Sequence, residues 1–112
     1  MAKVEHYRQL IQALLTAHSE IDFGNPELES ELILDTARDR YQLMHIGWLD
    51  EQRIYGCSLH LDIRNEKIWI QHDGTEGGIA QELIERGVPK SDIVLAFHSP
   101  FKRQFTEFAV GG

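Results

Sequence analysis

The chain has one cysteine in 112 residues, so it can form neither an intramolecular disulfide framework nor a cysteine-rich zinc site. That residue, Cys57, lies in a strand-like segment, IYGCSLHL. It reads as a small buried hydrophobe rather than a nucleophile, because free cysteine is among the most buried residue types. Basic charge is also scarce: 11 Lys and Arg stand against 18 Asp and Glu, a net charge of −7. Duplex DNA binding relies on cations that neutralise phosphates, so this balance argues against a stand-alone DNA binder. It suits a protein partner with a basic surface. No run of 18 apolar residues occurs, which excludes a membrane-spanning helix. The opening MAKVEHYRQL carries charges where a signal peptide needs its apolar region, so the expected location is cytoplasmic. Internal repeats, low-complexity tracts and blocks of like charge are missing too.

What is present fits one domain, residues 1–112, of near-modal size and able to bury a core without staples. Over residues 3–18, Val4, Tyr7, Ile11, Leu14, Leu15 and His18 recur at helical spacing with Leu10 beside them. This predicts an amphipathic helix whose stripe faces a sheet. Residues 19–27 form a loop that turns at Gly24-Asn25-Pro26. Four strands follow. Leu28, Leu32 and Leu34 alternate with acidic residues, and Tyr41–Trp48 is β-rich with a blurred alternation. Tyr55, Cys57, Leu59, Leu61 and Ile63 alternate cleanly with polar residues, and Lys67–His72 makes the fourth strand. Short polar turns join them, so the expected arrangement is an antiparallel meander. A second helix is predicted over Gly77–Arg86, capped by Asp73 or Thr75 and stopped by Gly87, Val88 and Pro89. A fifth strand, Ile93–Phe97, is expected parallel to the fourth if the helix makes a crossover. The tail Phe105–Gly112 alternates and is expected to add an edge strand or to dock on a partner. The fold class is α+β, with two helices covering one face of the sheet.

Four groups of residues are candidates for chemistry. The turn HDGTEGG precedes a helix, a setting that can bind anions. However, Ile79-Ala80 follow where a P-loop needs Lys and Ser or Thr, and Asp73 and Glu76 repel phosphate, so a capped turn accounts for Asp73, Thr75 and Glu76. Six histidines are present, none in H-x-x-x-H or H-E-x-x-H spacing. His60 and Asp62 share a strand face and supply at most half a metal site, and His72 and His98 flank the second helix. Asp73 and Glu76 also form a carboxylate pair, which acid–base work would require to sit in a pocket. Finally, Lys102 and Arg103, with Arg38 and Arg40, are cations among aromatics of the kind that touch nucleic acid or a protein. A small-molecule or metal-handling enzyme built on His60, Asp73, Glu76 and His98 is the weakest of these readings. No catalytic, cofactor-binding or metal-binding constellation follows from the spacing.

Read whole, the phrases HYRQLIQALL, DTARDRYQLMHIGW, YGCSLHLDI, KIWIQHDGTE and IAQELIERGVPKSDIVLAFHSPFKRQFTEFAV resemble the XisI family, the excision controlling factors of the cyanobacterial fdxN element. The resemblance covers nearly the whole chain. It implies a non-enzymatic accessory protein for developmentally timed excision of a DNA element, acting with an XisH-like companion protein and a site-specific recombinase. It assigns no catalytic residue and no cofactor. Two further expectations stand beside it. One is direct DNA contact through Arg38, Arg40, Lys102 and Arg103. The other is a homodimer formed through Trp48, Tyr55, Trp69 and the C-terminal tail, since aromatics are enriched at interfaces.

Overall fold

A computed structural model describes residues 2–111. Helix α1 (Ala2–Ser19) leads into strands β1 (Leu28–Asp35), β2 (Arg40–Leu49), β3 (Gln52–Arg64) and β4 (Lys67–Asp73). Helix α2 (Ile79–Glu85) and a single 3-10 turn (Lys90–Asp92) precede strand β5 (Ile93–Leu95), and helix α3 (Pro100–Arg103) follows. The sheet order is β1-β2-β3-β4-β5. The first four strands are antiparallel neighbours and β5 runs parallel to β4, as expected for a strand reached through a helix.

The helical stripe buries as its spacing predicts. Tyr7, Leu10, Ile11, Leu14 and Leu15 are buried with Tyr41, Leu43, Leu59, Leu61, Ile63, Ile68 and Ile70 of the sheet, and with Ile79, Leu83 and Val88 around α2. Polar ties fix α1 at both ends. Near its start, Tyr7 donates to Asp92 and Lys3 lies 3.2 Å from the same carboxylate. Arg8 grips Asp39 through two N–H groups at 2.8 and 3.1 Å, and Tyr41 donates to Asp39 at 2.9 Å. At its end, His18 Nε2 sits 2.8 Å from Glu82 of α2.

Helix α2 ends in a Schellman motif: Val88 N–H reaches Leu83 C=O and Gly87 N–H reaches Ile84 C=O, both at 3.0 Å, with Gly87 at φ +94° as this stop requires. The helix is shorter than the predicted Gly77–Arg86, because Gly78 at φ +87° keeps residues 77–78 outside it. Strand β5 also stops early. Ala96 N–H still bonds Ile70 C=O at 2.9 Å, and the chain then turns away. The tail is not an edge strand. It makes one parallel bridge, Val94 to Ala109, with Ala109 N–H donating to Ile93 C=O. Gly112, the last residue of the expected strand, lies outside the described residues.

Two bulges set which side chains face which way. Between β2 and β3 the register slips so that Leu43 faces Leu59 and Met44 faces Cys57, leaving Ser58 extra. An extra residue resets the alternation. Leu59, Leu61 and Ile63 therefore point to the core, while Cys57 and Tyr55 turn to the opposite face and Tyr55 is 72% exposed. The single apolar face expected over Tyr55–Ile63 is two half-faces. A second slip between His60 and Leu61 leaves Gln71 extra on β4.

Strand β3 has 13 residues. At roughly 3.3 Å per residue its length is comparable to the molecule's longest extent, 43 Å. Strand β4 pairs only with Leu59–Arg64, and α1 and α2 cover the same half. The other half, Trp48 to Cys57, projects as a two-stranded tip flanked by β1. At its base Gly47, φ +144°, passes so close to Glu27 that a Cβ would stand 2.0 Å from the Glu27 carbonyl oxygen, and Trp48 N–H bonds that same oxygen at 3.1 Å.

Candidate functional site

The turn before α2 is a closed hydrogen-bond system. Asp73 Oδ1 accepts from Thr75 N–H at 2.9 Å and from Thr75 Oγ1 at 2.6 Å, and Asp73 Oδ2 accepts from Ile79 N–H at 2.8 Å. Thr75 Oγ1 accepts in turn from Gly78 N–H at 3.2 Å. The first free N–H groups of the helix are thus satisfied from within the chain, and Asp73 has both oxygens engaged. Glu76 stands exposed beside the turn.

His60 lies on the sheet face opposite the helices. Its Nε2 is 3.0 Å from Asp62, and Asp62, only 1% exposed, also meets Arg64 at 3.0 Å, Gln71 at 3.2 Å and Arg40 at 3.4 Å. The i, i+2 pair that could have been half a metal site is instead part of an ion-pair hub. Among the described residues no three His, Cys, Asp or Glu side chains converge to hold a metal ion. His72 is the cross-strand partner of His60. His98 lies beyond β5 with its ring 4.6 Å from that of Phe97. The residues of the enzyme reading are therefore split between faces: Glu76 lines a cleft on the helix side, and His60 serves Asp62 on the other.

The cations are mostly engaged. Arg38 pairs with Asp35 at 3.0 Å in the β1–β2 turn, and Arg40 meets Asp62. Arg103 donates to the carbonyls of His98 and Ala96 at 3.0 and 3.3 Å and stacks over Trp69 at 5.5 Å, with Arg64 on the same ring at 5.7 Å. Lys102 is exposed, and its backbone N–H bonds the Ser99 side chain. Ser99 is thereby the N-cap of α3, with Pro100 as its first residue. Ser-Pro is a start signal for a helix, and the basic turn expected here is a short helix. Phe101 on this helix and Phe105 just beyond it, 68% and 74% exposed, stack edge to face at 5.2 Å.

The helix-side cleft, about 470 Å³, is walled by Ile21 and Phe23 of the loop after α1, floored by Leu43, His45 and Ser58, and closed by Gly74–Gly77 and the His18–Glu82 pair. A second hollow of about 330 Å³ adjoins it, sharing Phe23, His45, Ser58 and Gly74 and adding Leu28 and Ile54. Both ring nitrogens of His45 are occupied, Nδ1 by Ser30 at 3.0 Å and Nε2 by Ser58 at 2.9 Å, with Phe23 edge-on at 5.1 Å. Burial holds the imidazole below its ordinary pKa because it penalises the charged form. The Cys57 thiol is pushed up chiefly by burial, the opposite of an activated nucleophile. Sequence reasoning missed His18, His45, Ser58 and Glu82 as neighbours. His18 and Glu82 are 64 residues apart, and Ser58 turns into the cleft only because it is the bulge residue.

Comparison with known proteins places this architecture. The family model described as XisI protein matches residues 1–110. A solved XisI-like protein from Anabaena variabilis is 42% identical, with a TM-score of 0.92 over 96% of this chain and 99% of that one. The fdxN element excision controlling factor XisI from the same organism is 38% identical, with a TM-score of 0.84 over 97% of this chain and 99% of that one. No curated protein matches.

Proposed function

Because the chain belongs to the XisI family, we propose that it is a non-enzymatic accessory factor that helps control excision of a DNA element, and that it works in the cytoplasm through an XisH-like companion protein and a recombinase complex. The observation that carries the partner reading is the state of the cations. Arg8, Arg38, Arg40 and Arg64 are each ion-paired to an aspartate and Arg103 is turned onto carbonyls, in a chain of net charge −7. DNA affinity grows with the number of phosphates neutralised, and few cations here are free to do so. An acidic surface with exposed aromatics suits a basic protein better. Binding of the purified chain to its XisH-like companion is the test. Co-elution at micromolar concentration is expected, and a salt-dependent shift of element-end DNA by this chain alone would instead favour direct contact through Arg38, Arg40, Lys102 and Arg103.

A further inference from the structure

The projecting half of β3 has an open edge. Strand β4 leaves β3 at Leu59, its last rung being Gly74 N–H to Ser58 C=O at 2.7 Å. Beyond it, Arg53, Tyr55 and Gly56 are exposed, and a Cβ built on Gly56 would meet nothing within 4 Å. Trp48 N–H bonds Glu27 on the β1 side, so the odd residues of β2 turn their backbone groups toward β3. Their partners Ile54 and Gly56 are thereby bonded to β2, and by the alternation of an antiparallel ladder Arg53 and Tyr55 point their N–H and C=O groups away from it. These free groups border the two joined hollows, where Phe23, Leu28 and Ile54 supply an apolar lining.

We propose that this edge is a docking strand that takes up an extended segment of a basic partner protein by β-strand addition. The proposal rests on the partner-binding reading above and names the surface that serves it. An added strand bonds its main chain to Arg53 and Tyr55 and lowers alternate apolar side chains into the hollow, so that backbone bonds give affinity and the hollow gives selectivity. Charge decides the occupant. Asp50 and Glu51 stand at one end of the edge, in the β2–β3 turn, and Glu76 at the other, beside Gly74. A second copy docked antiparallel on the same edge would bring its Glu76 to Asp50 and Glu51, a like-charge contact. A segment with lysine or arginine beside its apolar residues meets acid at both ends.

The probe is a fluorescent eight-residue peptide alternating lysine with valine, read by fluorescence anisotropy and amide hydrogen exchange on the whole chain. Free protein is expected to exchange the Arg53 and Tyr55 amides fast and those of Ile54 and Gly56 slowly, and bound peptide to slow the first pair. Tyr55→Pro removes an edge donor without touching the β2 ladder and should weaken binding about three- to tenfold, the worth of one good hydrogen bond. Tyr55→Thr should not. Peptide N-methylated along one edge should fail on the unaltered protein, as should a peptide alternating glutamate with valine. Equal binding of plain and N-methylated peptide overturns the proposal. So does Tyr55 protection that rises with protein concentration in the absence of peptide, which identifies a second copy. A companion protein that binds wild type and Tyr55→Pro equally overturns the docking edge and leaves the accessory-factor reading standing. If the companion binds neither form, that reading fails, and the peptide result still decides the edge.

Discussion

One hairpin, β2–β3, runs through two different environments. At its root, Tyr41, Leu43, Leu59, Leu61 and Ile63 lie under α1 and beside β4, all buried, and the reverse face is sealed by Asp62 with Arg40, Arg64 and His60 around it. At its tip, Trp48, Leu49 and Tyr55 are exposed, and among the described residues no strand pairs the β3 edge. The two ends share a backbone and differ in what surrounds it. Stability is therefore concentrated at the root, and the tip is left with the surface and the unpaired groups that make contacts.

The sharpest way to break this contrast is a pair of truncations. Leu61→Ala should cost about 2–5 kcal/mol by opening a cavity, and Tyr55→Ala should stay within about 0.5 kcal/mol, both by denaturant melts. Similar losses would mean that the tip carries as much of the fold as the root. Next in size is Asp62→Ala, which removes charged hydrogen bonds worth roughly 1–3 kcal/mol. The freed Arg40 and Arg64 are half in water already and rehydrate, so the loss should stay below that of Leu61→Ala.

The acid limb of stability should also belong to the root. The Arg8 guanidinium, as hydrogen-bond donor, holds the Asp39 carboxyl below the usual aspartate range. A carboxyl whose folded value is depressed contributes stability that is complete above its unfolded value, near about 3.9, and that fades as pH falls through the lower folded value. Calorimetry of wild type should show Tm dropping below about pH 4, and Arg8→Met should flatten that fall. His45 adds a milder dependence of the same direction. Its folded value is lowered by burial, so stability is lost as pH falls from about 6.5. The smallest effect contrasts the two turns. Glu66 at the root end and Asp50 at the tip both hold positive φ, +62° and +56°. Glu66→Gly should stabilise by about 0.5–1 kcal/mol, and Asp50→Gly by less, because aspartate tolerates the left-handed region better.

What the sequence revealed follows the range of the interactions. The α1 stripe and the stop of α2 at Gly87-Val88-Pro89 were legible because each is written within a few neighbouring residues, and so was the Asp73 cap. Helix α3 was equally written, in Ser99-Pro100, but its four residues lie among turn formers and read as a turn. The bulge at Ser58 left no mark, since the apolar alternation continues unbroken across it while the side chains change face. The cleft followed it out of sight: His18, His45 and Glu82 meet only through the packing of α1 on the sheet and α2. The candidate cations were visible, but their partners were not, because Asp62 reaches Arg40 across strands.

The chain carries exactly two tryptophans, one in each region. Trp69 lies among the guanidiniums of Arg64 and Arg103, with Gly111 of the tail against its ring. Trp48 sits at the projecting end with Arg53 above it at 5.5 Å. The molecule is thus optically labelled at both poles without modification. Emission from a Trp69→Phe variant follows events at the docking end, and emission from a Trp48→Phe variant follows release of the C-terminal segment from the sheet.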